Sequence, residues 1–163
     1  MIITMKTYVV TLSKRFPKNH KQDGNPTGFR QKYENREKIH TIRANFPLWD
    51  DRFKVIVQDD GCLSLRQWSG KPYASKQEML ADLYAKDGIG IQELFFADGD
   101  LMKPRIIIQP SLSNPEKHII IVSPSVLAKN DGLSLDDWLE WFSHYDLSKS
   151  MAIIHFTSFR YKD

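Results

Sequence analysis

The apolar runs in this chain are short. Ile106–Ile108 and Ile119–Val122, for example, span three and four residues. A helix that crosses a bilayer needs about 20, so no membrane span and no membrane partner are expected. Runs this short match buried β-strands, and they recur along the whole chain between turn signals. The first residues, Met1–Tyr8, carry neither a basic leader nor an apolar stretch of secretory length, so they read as the opening strand.

Seven strands and three helices are predicted. The strands are Thr7–Ser13, a strand carrying Thr41 and Arg43, Cys62–Trp68, Ile89–Ala97, Arg105–Gln109, Lys117–Val122 and Met151–Phe159. Asn114-Pro115 marks the turn of a hairpin between the two isoleucine-rich runs. One helix starts near Asn45-Phe46-Pro47 and ends at Asp60-Gly61, with the Val-rich Phe53–Gln58 as a strand the alternative. A second follows the capping pattern Ser75-Lys76-Gln77-Glu78 and closes at Asp87-Gly88. The third begins at Ser134, with Leu135, Trp138, Leu139 and Phe142 at helical spacing. This order lacks strict βαβ alternation, so the expected class is α+β, mainly β, a small barrel with about three peripheral helices.

At 163 residues, with 41% hydrophobic and 26% charged, the chain has the size and composition of one globular domain. Cys62 is the single cysteine, so no internal disulfide is available and a reducing, cytoplasmic setting is expected. The five histidines lack metal-ligand spacing and Cys62 lacks a CxxC partner, so no metal is expected. Gly88-Ile89-Gly90 opens a strand rather than a helix, which argues against a dinucleotide site, and no cofactor is expected.

Charge is distributed unevenly. Residues 14 to 43 hold nine basic side chains against three acidic ones, a net +6, whereas residues 44 to 163 carry −4. Phe16, Phe29 and Tyr33 are interleaved with the cations, a pattern suited to neutralising phosphates and stacking bases. Lys14, Arg15, Lys18, Lys21, Arg30 and Lys32 are the candidate nucleic-acid rim. The alternative is a solvated loop whose few aromatics anchor it.

Lys38-Ile39-His40-Thr41-Ile42-Arg43, followed much later by Asn130-Asp131-Gly132-Leu133-Ser134 and the helix through Trp138 and Trp141, resembles the ASCH domain family. That resemblance implies a PUA-like barrel over residues 1–163, with elaborations near 14–35, 70–88 and 98–117. It implies binding of RNA, a nucleotide or a modified nucleoside. Some small ASCH proteins are instead amidohydrolases that deacylate N-acetylcytidine with a lysine, a threonine and a glutamate. Those positions fall on Lys38, Thr41 and Asp131 here, the last a shorter carboxylate, and the glycine usual two residues before the lysine is Arg36.

The residues themselves fit such a site. Thr41 and Arg43 share one face of a strand, so Lys38 must precede the strand if all three are to converge. A threonine hydroxyl becomes a nucleophile when a base takes its proton, and lysine can be that base once burial or a neighbouring cation lowers its pKa. In a binding module, Lys38, Thr41, Arg43, Asn130 and Asp131 would grip a phosphate, a base edge or an exocyclic amine. Two alternatives stand beside these. Arg43 and Asp131 form a structural ion pair with Lys38 in solvent, or the domain is a protein-interaction module.

Overall fold

The computed structural model describes residues 4–163, so Met1–Ile3 of the expected opening strand lie outside the described residues. Two sheets form a mixed α+β fold. In the first, β1 (Thr7–Leu12) runs parallel to β3 (Cys62–Trp68), from Thr7 opposite Cys62 to Leu12 opposite Gln67, and β3 pairs antiparallel with β4 (Gln77–Leu83). A parallel pair needs a long crossover. Here it contains α1 (Phe29–Glu34), β2 (His40–Ala44) and α2 (Phe46–Gln58).

The second sheet is wholly antiparallel, in the order β2, β8 (Met151–His155), β5 (Gly90–Phe96), β6 (Pro104–Ile108), β7 (His118–Ile121). The isoleucine hairpin forms as expected, with Ile106 opposite Ile120. All five residues of β8 are buried, and α2 packs over β5 and β8. Leu63 and Leu65 of the first sheet join Leu94, Ile106 and Ile153 of the second in one hydrophobic core. The described strand pairings make two separate sheets and do not close into a single ring.

Residues 75–88, expected as a helix, contain β4 and one short 3₁₀ turn instead. The serine that signalled a cap serves a turn: Ser75 Oγ accepts from Gly70 N at 3.0 Å and donates to the Lys71 carbonyl at 2.8 Å. The open edge of β3 then captures Gln77–Leu83 as a ladder, which outweighs the helical propensity of those residues. Two further helices are present, α1 inside the basic loop and α3 (Pro124–Asn130). The expected helices at α2 and α4 (Leu135–Phe142) are capped by Asn45 and Ser134, which accept from Leu48 N and Asp137 N. The last strand ends at His155, earlier than expected, although Phe156 N still bonds the Ile39 carbonyl at 3.0 Å in the same register.

Among the described residues, no helix is long and apolar enough to cross a membrane, and no group of three or more His, Cys, Asp or Glu is placed to hold a metal ion.

Candidate functional site

Three segments meet at the site: the end of β1, the lead into β2, and the α3–α4 loop. Ile39 is pinned on both sides, its N–H on the Asn130 carbonyl at 2.9 Å and its carbonyl on Phe156 N at 3.0 Å. This fixes Lys38 just before β2 and against the loop, while Thr41 and Arg43 project from the opposite strand face to His40 and Ile42. Gly132 makes the approach possible. Its φ is +81°, and a Cβ there would lie 3.1 Å from the Lys38 Cβ.

Lys38, Thr41, Arg43 and Asp131 all line one cavity of about 230 Å³, walled by Thr11, Phe29, Trp141 and Tyr145. Their pairing differs from the ion pair considered above. Lys38 is fully buried, and its Nζ donates to Asp131 Oδ1 at 2.8 Å and to the Asp131 carbonyl at 2.6 Å. The ammonium also lies 4.2 Å from the centre of the Phe29 ring. Arg43 turns elsewhere, donating to Thr41 Oγ1 at 2.7 Å, to the Ile42 carbonyl at 3.0 Å and to the Thr11 carbonyl at 2.6 Å. A guanidinium keeps its charge and has five N–H groups, so donors remain.

Burial lowers the Lys38 pKa, and Arg43 and Lys32 lower it further, against the pull of Asp131. Burial works to raise the Asp131 pKa. The adjacent Lys38 and His40 outweigh it, holding the carboxyl below its ordinary range. The two groups are thus a tightly coupled buried pair, the lysine's pKa drawn down by burial and the carboxyl held ionised by its neighbours. Thr41 accepts from Arg43, which leaves its own hydrogen for a ligand, and Asp131 Oδ2 remains as an acceptor lining the same cavity.

Behind the carboxylate lies a network that the motif alone did not disclose. Asn130 Nδ2 donates to the Tyr161 hydroxyl at 2.9 Å, so Asn130 faces this network rather than the cavity. The hydroxyl sits 2.8 Å from His40 Nε2. Burial raises the Tyr161 pKa and lowers that of His40, so a protonated phenol donates to a neutral imidazole. The remaining His40 proton then sits on Nδ1, 3.8 Å from Asp131 Oδ1. Position within the motif and strand alternation point to His40. Tyr161, 121 residues away, carries no local signal.

The six expected rim residues divide. Lys14, Arg15 and Lys18 line a second cavity of about 690 Å³, which shares Thr11, Leu12 and Ser13 with the first. Lys21 is instead 3.9 Å from Asp137, Arg30 is paired with Glu34 and Glu78, and Lys32 donates to the Gly132 carbonyl at 2.8 Å. Arg30 and Lys32 stand on α1, whereas Lys14, Arg15 and Lys18 stand on the loop before it.

Comparison of the chain with protein-family models, with curated proteins and with solved structures finds no match.

Proposed function

We propose that this chain is a PUA-like ASCH domain that binds a nucleotide or nucleic acid by taking one base into the small cavity. The observation that carries this reading is the convergence of Thr41, Arg43 and Asp131 in one cavity with aromatic residues in its walls. A carboxylate acceptor beside hydroxyl and guanidinium donors complements a base edge on which an amine adjoins an acceptor, as on cytosine or adenine. The cavity is below the about 300 Å³ floor of drug-sized sites, so it suits a single ring system. Arg36 supports the resemblance independently: its φ is +60°, a conformation that favours the glycine the family carries there.

Titration of cytidine, adenosine and uridine followed by protein NMR tests the reading. The amino-bearing bases should bind more tightly than uridine, and Thr41→Val, which keeps the side chain's volume, should weaken them. Absence of nucleoside binding, or an unaffected Thr41→Val protein, would overturn it.

The amidohydrolase reading is favoured by one specific contact, the Arg43 N–H on the Thr41 hydroxyl beside a buried lysine. There Thr41 would attack the acyl carbon while Lys38, in its neutral form, takes the hydroxyl proton and passes it to the departing amine held by Asp131, and water would then hydrolyse the acyl-threonine to release acetate. Release of acetate from N-acetylcytidine that disappears in Thr41→Val and persists in Thr41→Ser would select this reading over binding alone.

A further inference from the structure

The larger cavity is formed by the basic loop after β1 on one side and the turn between β3 and β4 on the other. Its cations are Lys14, Arg15, Lys18 and Lys71, with Asp23 the one acid among its lining residues. None of those four cations is in an ion pair among the described residues. Lys14 Nζ donates to the Ser69 carbonyl at 3.0 Å, which ties the two walls together and leaves two N–H groups free.

An aromatic pair stands in the same wall. The Trp68 and Tyr73 rings are 5.2 Å apart, and Tyr73 is 91% exposed. A solvated tyrosine beside unpaired cations gives what a nucleotide needs outside a base pocket, a flat face for stacking and charge for its phosphates. The two cavities meet at Thr11–Ser13, where Arg43 holds the Thr11 carbonyl.

Building on the base-binding reading above, we propose that the physiological ligand is a single-stranded oligonucleotide rather than a free nucleoside. One base enters the small cavity. The adjoining nucleotide stacks on Tyr73 and Trp68, and its phosphates run between Lys18 and Lys71. A duplex is disfavoured because its bases must unstack to enter.

The test is fluorescence anisotropy with labelled single-stranded RNA and DNA of about eight nucleotides, alongside NMR titration of the mononucleoside. Tyr73→Ala should weaken oligonucleotide binding about 5- to 100-fold and leave mononucleoside binding unchanged. At 91% exposure, Tyr73 can be truncated without disturbing the core. Lys18→Glu with Lys71→Glu should flatten the dependence of affinity on salt, each phosphate contact accounting for about 0.7 in the log–log slope. Inorganic polyphosphate, which has charge without bases, serves as the competing probe. The proposal is overturned if Tyr73→Ala binds as the parent does, if polyphosphate competes as well as the oligonucleotide, or if the oligonucleotide binds no more tightly than the mononucleoside. If oligonucleotide binding needs Tyr73 but ignores Thr41→Val, the stacking surface stands and the base pocket falls. If mononucleosides bind and Tyr73 is silent, the reverse holds.

Discussion

Lys38 and Lys18 are both lysines of the basic segment, yet they occupy opposite physical environments. Lys38 is 2% exposed, with its ammonium held by a carboxylate, a carbonyl and an aromatic face. Lys18 is exposed and lines the larger cavity. A buried ion pair is costly to form and costlier to break, because either partner left alone is an uncompensated charge in a poor solvent. An exposed cation is solvated and screened, with a Debye length of about 8 Å at physiological salt. The small cavity is thus a preorganised site whose geometry depends on the fold, whereas the large one is an electrostatic surface whose strength depends on the medium.

The largest expected effect lies at Lys38. Lys38→Ala should cost about 3 to 5 kcal/mol of folding stability, read as a lowered urea midpoint at constant slope. Lys18→Ala should remain within about 0.5 kcal/mol of the parent. Equal effects at the two positions would erase the distinction. For the same reason the functional test above uses Thr41→Val, since loss of activity in Lys38→Ala would mix chemistry with unfolding.

Acid should separate the two regions next. Burial pushes the His155 pKa down to about 2 and lowers that of His40, while both titrate near 6.5 once unfolded. Between those values the unfolded chain binds more protons than the folded one, so stability falls as pH falls below about 6.5. The slope is at most about 1.4 kcal/mol per pH unit for each histidine. Asp131 adds its own loss only lower, as pH drops through the carboxylate range toward its depressed folded pKa. Urea midpoints should therefore decline between pH 7 and about pH 5.5, above the range in which ordinary carboxylates titrate, and His155→Gln should reduce that decline.

A smaller effect is expected at Gly132. Gly132→Ala meets Lys38 Cβ at 3.1 Å at a φ of +81°, and strain of this kind costs about 1 to 3 kcal/mol. Because the crowding is against Lys38, nucleoside affinity should fall along with stability. A protein destabilised but unchanged in affinity would show that the loop and the cavity are independent.

Local rules made much of the site legible. Strand alternation placed Thr41 and Arg43 together and required Lys38 to come before the strand, and β2 begins at His40 as that argument demands. The Ser134 cap fixed the helix beyond the loop. What stayed hidden was set by partners distant in sequence. Residues 77–83 have helical character, and only the unpaired edge of β3 turns them into a strand. Asp131 chooses Lys38 over Arg43 because Gly132 lets Lys38 pass close by, while the Thr11 carbonyl on a neighbouring segment draws the guanidinium away. Neither choice is encoded within a short window of sequence.

The smallest predicted effect bears directly on the family resemblance. Arg36 follows α1 with φ +60°, where Glu37 N reaches back to the Lys32 carbonyl at 2.8 Å and closes the helix. A Cβ in that conformation crowds the backbone, and a residue without one relieves it. Glycine also gains freedom in the unfolded chain, which offsets part of the relief. Arg36→Gly should therefore stabilise the protein by no more than about 1 kcal/mol, seen as a small rise in urea midpoint, while Arg36→Ala should give no such gain because the strain remains. The side chain is exposed and lines neither cavity, so ligand binding should not change. If Arg36→Gly instead destabilises the protein, backbone conformation is not what makes glycine suitable two residues before the lysine, and the resemblance loses one of its physical supports.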